Sequence, residues 1–266
     1  MQATTTPVAE RLVSRSDARG VTTLTLNRPA QYNALSEELL AEMTTALEAI
    51  EHDASVRVVV IAGAGPAFCA GHDLKQMRAN PSHDYYRKLF AQCSRMMMAV
   101  TRIPQPVIAR VHGIATAAGC QLVAQCDLAV ASDNARFAVS GINVGLFCST
   151  PSVPLGRNVL RKQAMEMLLT GDFIDAATAK DYGLVNRVVP LDRLDAEVAA
   201  LAQRIVDKSA VAVATGKRMF YKQLEMGLEG AYQYAAETMA CNMMSEDAGD
   251  GLDAFMAKRK PEWKHR

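Results

Sequence analysis

The sequence has no metal-ligand spacing, no membrane-length apolar run and almost no net charge. Its six cysteines (Cys69, Cys93, Cys120, Cys126, Cys148, Cys241) form no CxxC pair, and its five histidines form no HExxH. Both absences argue against a metal site. Cys93, Cys126 and Cys241 lie in apolar helical contexts, where a free thiol packs as a small hydrophobe, as expected in a reducing compartment. Apolar runs such as Val58 to Ala62 fall far short of the roughly 20 residues that cross a bilayer. The 29 basic and 28 acidic residues leave a formal charge of +1, which provides no field to hold a phosphate backbone or an anionic membrane. Neither nucleic acid nor membrane is expected as a partner. Met1 to Gly20 lacks an apolar core and mixes its arginines with Glu10 and Asp17, so no targeting segment is expected and the reading is cytoplasmic.

What the chain does have is length and apolar content enough for a large core: 266 residues, 50% hydrophobic. No low-complexity segment, long linker or internal repeat interrupts it. Val21 to Leu26 alternates like a strand, and Arg28-Pro29 breaks it. Ser36 is a good N-cap for a helix with Leu39, Leu40, Met43, Leu47 and Ile50 on one face and Glu37 and Glu38 in the first turn. Val56 to Ala62 reads as a buried strand closed by Gly63-Ala64-Gly65-Pro66. A helix is expected at about Asp84 to Thr101, ended by Ile103-Pro104-Gln105-Pro106. A strand over 107–111, a helix over 117–125 and a strand over 128–131 follow. Arg161 to Leu169, stopped by Gly171, reads as a helix, and Leu184 to Val189 as a strand. From Asp192 onward only helical signals remain. The chain thus divides into an α/β core over 1–190 and a helical region over 191–266.

Two segments stand out chemically: Ala67-Phe68-Cys69-Ala70-Gly71-His72-Asp73-Leu74, and Gly113-Ile114-Ala115-Thr116-Ala117-Ala118-Gly119-Cys120-Gln121-Leu122. Small residues let a ligand carbonyl approach backbone N–H groups, and the second segment passes from a strand into a helix start, where N–H groups are unpaired. That is how an oxyanion hole is assembled.

With Asn27-Arg28-Pro29, Asn33-Ala34-Leu35, Cys126-Asp127, Phe137 to Leu146, Thr170-Gly171, Ala176 to Val185 and Phe255 to Trp263, these motifs run essentially end to end. In their order and spacing the chain resembles the crotonase (enoyl-CoA hydratase/isomerase) superfamily. Within it, Gly71 to Leu74, Ala115 to Gln121 and Asn143 to Pro151 most resemble the hydratase-domain-containing type 3 proteins of mitochondria. The resemblance implies an α/β crotonase spiral of ββα units. It also implies C-terminal helices that build a homotrimer, with two trimers commonly stacked as a hexamer. The implied activity is that of an enoyl-CoA hydratase-like lyase in fatty-acid and acyl-CoA metabolism, with coenzyme A carried on the substrate and no separate cofactor. The implied oxyanion donors are the backbone N–H groups of His72 and Ala118. Ala70, His72, Asp73 and Leu74 line the CoA path, Arg28 and Ala34 touch CoA, and Ile114, Ser140 and Val144 complete the substrate site. Phe255 and Lys258 reach a neighbouring subunit's CoA. Arg28 read as a solvated turn residue, and Phe255 as a trimer-core residue, are the alternatives.

The two glutamates that hydratases of this family use fall here on Gln121 and Gly141. An amide holds a water without taking its proton and glycine does neither, so hydration loses on the order of 10²–10⁴ per missing group. His72 is a candidate acid. Asp73 reads first as a helix cap, Asp127 as a buried hydrogen-bonding residue, and His112 as structural. Cys148-Ser149 are candidates for the pocket wall, and Tyr85 and Tyr86 for its cover. Three functions remain open: an acyl-CoA enzyme with weak or altered hydration, a malonyl-type acyl-CoA decarboxylase, and a catalytically idle acyl-CoA-binding protein.

Overall fold

The computed structural model describes residues 11–266. The reading of the N-terminus as free of a targeting segment therefore lies, for residues 1–10, outside the described residues. The chain opens with a hairpin of β1 (Val13–Ala18) and β2 (Val21–Leu26). Its two turn residues, Arg19 and Gly20, have φ of 52° and 77°, the pair of positive values that a tight turn between right-twisted strands requires. Helix α1 (Glu37–Glu51) follows, with Ser36 accepting the Leu39 N–H and the expected five apolar residues buried.

The next three stretches repeat one plan, two short strands and then helix. First come β3 (Val58–Gly63), β4 (Ala67–Cys69), α2 (Leu74–Ala79) and α3 (His83–Arg102). Then come β5 (Val107–Val111), β6 (Ile114–Thr116) and α4 (Ala118–Gln125). The third holds β7 (Leu128–Ser132), β8 (Arg136–Ala138), α5 (Ser149–Asn158) and α6 (Arg161–Thr170). The first strand of each stretch joins a six-stranded sheet that ends on β10 (Arg187–Val189), of order β1-β2-β3-β5-β7-β10, and the second joins a four-stranded sheet that ends on β9 (Ile174–Asp175), of order β4-β6-β8-β9. The chain closes this core with β9 (Ile174–Asp175), α7 (Ala176–Asp181) and β10 (Arg187–Val189). This is the α/β spiral of ββα units that the resemblance implies.

Some boundaries move for local reasons. Val56 donates its N–H to the Asp53 carbonyl, a turn bond, so β3 starts at Val58. Leu184 and Val185 both donate to the Ala179 carbonyl, which delays β10 to Arg187. α6 ends at Thr170 because Gly171, at φ 67°, turns the chain left-handed.

After residue 190 the elements are helical: α8 (Leu194–Val206), α9 (Ala210–Gln223), α10 (Leu228–Met243) and α11 (Glu246–Met256), after a short 3₁₀ turn. Leu194, Val198 and Ala202 of α8 pack on Val58, Val60, Ile108 and Val130, while Val59, Ile61, Val107 and Ala109 face the main core. Alternate residues of the sheet are thus buried on both sides, which explains the unbroken apolar run of β3.

Candidate active site

The first loop of the site leaves β4 and enters α2. Asn33, fully buried at φ 56°, donates from Nδ2 to the carbonyls of Ala64 and Ala67 at 2.8 Å and accepts the Arg28 N–H at 2.9 Å. Leu35 then lies beside the loop as a single parallel bridge to His72. Its N–H donates to the Gly71 carbonyl at 2.7 Å, and its carbonyl accepts the Asp73 N–H at 3.2 Å. Leu35 thus bonds both neighbours of His72 and leaves the His72 N–H without a backbone partner among the described residues.

The second loop leaves β6 and enters α4. Ala117, at φ 50° and ψ −120°, donates its N–H to the Ala138 carbonyl at 2.9 Å. α4 therefore begins at Ala118, whose N–H points out of the helix end with no intrahelical acceptor. The two loops touch. A Cβ built on Gly71, itself at φ 91°, would stand 2.9 Å from the Ala117 Cβ and 3.2 Å from the Ala118 nitrogen. A Cβ on Gly119 would collide with the Cys69 carbonyl. The small residues are required by this contact, which sets the Gly71 turn against the N-terminal end of α4.

These loops open on a cavity of about 400 Å³. Ala70, His72, Leu74, Ala118, Ser140, Gly141 and Val144 line it, as expected. Ser140 and Thr116 share a hydroxyl hydrogen bond at 2.8 Å. Cys148 and Ser149 also line the cavity, as do Met77, Phe90, Leu146 and Phe147, which carry no sequence signal for it. Tyr85 and Tyr86 are not in the lining. The Tyr85 hydroxyl donates to Glu37 at 3.1 Å, and the Tyr86 ring stacks behind Phe90 with centroids 6.4 Å apart.

Several expected site residues are outside the lining of this cavity. Arg28 donates to the Ala34 carbonyl at 2.6 Å and to Asp73 Oδ2 at 3.0 Å, so its guanidinium is engaged within the protein and is not a freely solvated turn residue. Asp73 caps α2, its Oδ1 accepting the N–H groups of Lys75 and Gln76. Burial pushes its carboxyl up, but these N–H groups and Arg28 outweigh that and hold it below the ordinary carboxylate range. Arg28, Ala34 and Asp73 brace the first loop from outside the cavity. Ile114 is 40% exposed and outside the lining. Gln121 is buried at 4% exposure and outside the lining, and its Oε1 has no hydrogen-bond partner. Phe255 is 83% exposed at the end of α11, and it and Lys258 are outside this chain's own lining, as residues expected at a neighbouring subunit's CoA would be.

The His72 ring stands edge-on to Phe90 at 5.5 Å, with both nitrogens buried and unpartnered. Burial lowers its pKa to about 4. The neutral imidazole is therefore the favoured form at pH 7, which weakens the case for His72 as an acid. Gly141 donates its N–H to Cys148 Sγ at 3.2 Å.

His112 bonds the Gly65 carbonyl at 2.8 Å, in the structural role expected. Asp127 accepts from Val107, Lys217 and Tyr221. Cys93 and Cys126 are buried as expected, but Cys241 is exposed because it falls on the solvent side of α10. No three His, Cys, Asp or Glu side chains cluster as metal ligands among the described residues, and none of their helices is long and apolar enough to cross a membrane.

The family model for enoyl-CoA hydratase/isomerase matches residues 16–266. Enoyl-CoA hydratase domain-containing protein 3, mitochondrial, of Mus musculus is 45% identical over 96% of this chain and 85% of its own. A crystal structure of enoyl-CoA hydratase from Mycobacterium smegmatis superposes with a TM-score of 0.94 at 61% identity, covering 96% of this chain and 99% of that one. The crystal structure of the human enoyl-CoA hydratase domain-containing protein 3 gives 0.92 at 43% identity, covering 95% and 100%. The cytoplasmic expectation is corrected here: the mouse relative and its human counterpart are named as mitochondrial proteins. Balanced charge and free thiols suit either compartment, so composition was no guide to it. A spiral of ββα units, two touching small-residue loops over one cavity and matches along nearly the whole length agree: this chain belongs to the enoyl-CoA hydratase/isomerase family.

Proposed function

We propose that this protein binds acyl-CoA thioesters and stabilises the enolate formed next to the thioester carbonyl, with the N–H groups of His72 and Ala118 as the oxyanion hole. The observation that carries this reading is the contact between the two loops, in which a Cβ on Gly71 would reach to 3.2 Å from the Ala118 nitrogen. Two amides fixed in advance at one point favour the charged state over the neutral carbonyl, because they need no reorganisation as charge develops. Hydration of an enoyl thioester also needs a group that activates water. With glycine at 141, an unionised amide at 121 and a neutral His72, the site has no strong base in the expected places, so hydration is slow and the acyl-CoA chemistry rests on the amide pair. Ala70, Leu74, Ser140 and Val144 contact the substrate, and Arg28, Ala34 and Asp73 act by holding the loop. The exposed Phe220 of α9, Leu224 just after it, and Leu228, Tyr232 and Met239 of α10, with Phe255, supply the apolar face on which a homotrimer, alone or stacked as a hexamer, assembles.

The test is titration calorimetry of butyryl-CoA and free CoA, with crotonyl-CoA hydration followed in parallel, on the wild type and on Ala118→Pro. Proline is tolerated at the first position of a helix, and this one removes the proposed donor. Butyryl-CoA is expected to bind more tightly than CoA. Any hydration seen should fall about 10²–10³-fold in the variant. No acyl-CoA binding, or a variant as active as the wild type, would sink the proposal.

A further inference from the structure

The cavity wall around Gly141 is filled by a sulfur and a carbonyl. A Cβ on Gly141 would stand 2.7 Å from Cys148 Sγ and 2.5 Å from the Leu146 carbonyl oxygen. Neither neighbour is free to withdraw. The sulfur accepts the Gly141 N–H at 3.2 Å, and Leu146 returns its own N–H to the Gly141 carbonyl at 2.9 Å. Gly141 is not among the residues with positive φ, so glycine serves here for space rather than for backbone conformation. Cys148 has taken the volume that a side chain at 141 would occupy.

The lining is also free of charge. Its titratable side chains are His72 and Cys148. Burial lowers the imidazole to about 4 and raises the thiol above its ordinary range, so both are neutral near pH 7. The remaining lining residues carry no ionisable group. A ligand carboxylate placed there would lose its water and gain no counter-charge.

We infer that Cys148 is a specificity-determining wall of this cavity, and that together with the uncharged lining it selects compact hydrocarbon acyl groups and rejects acyl groups that end in a carboxylate. This rests on the acyl-CoA reading above. Cys148 acts by volume, against the acyl group, and not as a nucleophile.

The experiment is calorimetric titration with free CoA, butyryl-CoA, isovaleryl-CoA and succinyl-CoA, on the wild type, Cys148→Ala and Cys148→Ser. Butyryl and succinyl groups have the same number of carbons and differ in the terminal carboxylate. Wild type is expected to bind butyryl-CoA about 30-fold or more tightly than succinyl-CoA. Cys148→Ala is expected to shift the isovaleryl-to-butyryl ratio at least about threefold toward the branched chain. Cys148→Ser, which keeps the acceptor and most of the volume, is expected to leave that ratio in place. Equal binding of succinyl- and butyryl-CoA overturns the inference without any variant, as does an unchanged ratio in a folded Cys148→Ala. If no acyl-CoA binds better than CoA itself, the acyl-CoA reading falls and this one with it. If acyl-CoAs bind without such selection, only this one falls.

Discussion

Asp127 sits where the C-terminal helices meet the spiral, and replacing it or Lys217 tests how far that junction holds the fold. The Lys217 ammonium lies 2.7 Å from Asp127 Oδ2, and the two side chains are 6% and 14% exposed. Lys217 also donates to the carbonyls of Val100 and Gln105 at 2.9 Å each. Asp127 further accepts the Val107 N–H at 2.6 Å and the Tyr221 hydroxyl at 2.7 Å. Burial lowers the pKa of Lys217 against the pull of Asp127, and burial together with that carboxylate pushes the Tyr221 phenol well above its ordinary range. Lys217→Met leaves a buried carboxylate with two neutral donors and is expected to cost about 3 kcal/mol. Asp127→Ala leaves a buried ammonium and orphans both the Val107 N–H and the Tyr221 hydroxyl, so about 5 kcal/mol is expected. Asp127→Ala with Lys217→Met should cost clearly less than the two single losses added, because neither charge is then stranded. Urea unfolding followed by circular dichroism reads all three. The reasoning is refuted if either single variant loses less than about 1 kcal/mol, or if the double variant is additive.

Four other outcomes follow from the geometry around the cavity. Gly141→Ala should destabilise by about 1–3 kcal/mol through overpacking against Cys148 and Leu146, with part of the loss recovered by adding Cys148→Ala. Gly141→Glu is expected to lower the melting temperature without adding hydratase activity, and a stable, faster Gly141→Glu enzyme would show that the wall yields. His72 is neutral in the fold down to a pKa of about 4 against 6.5 for the free group. The unfolded chain therefore binds its proton first as pH falls, and about 3 kcal/mol present above pH 6.5 drains away toward pH 4. A pH series of urea unfolding should show that slope in wild type and lose it in His72→Leu. Asp73→Ala removes both the α2 cap and the partner of Arg28. It should cost about 1–2 kcal/mol in urea unfolding and weaken acyl-CoA binding through the loosened first loop. An unchanged midpoint would remove the bracing role given to that pair.

The helices α1, α3 and α6 were legible from apolar spacing and end signals, because a helix repeats its buried face every three to four residues and Ser36 or Gly171 marks its end locally. The two small-residue loops were legible for the same kind of reason: only glycine and alanine permit the approach that the Gly71 and Ala117 conformations make. The second sheet was not, since Ala67–Cys69, Ile114–Thr116 and Arg136–Ala138 are three residues each, too short to show alternation. Nor was the helix over Ser149–Asn158, which carries prolines at 151 and 154. Sequence by itself determined the family, the loops that meet and the residue types at 121 and 141. Tertiary structure alone decided that Arg28 and Asp73 bond to each other at the first loop, that Gln121 is buried outside the cavity lining, and that a sulfur has filled the space beside Gly141. Volume exclusion and desolvation depend on which distant segments pack together, and no local pattern of residues records that.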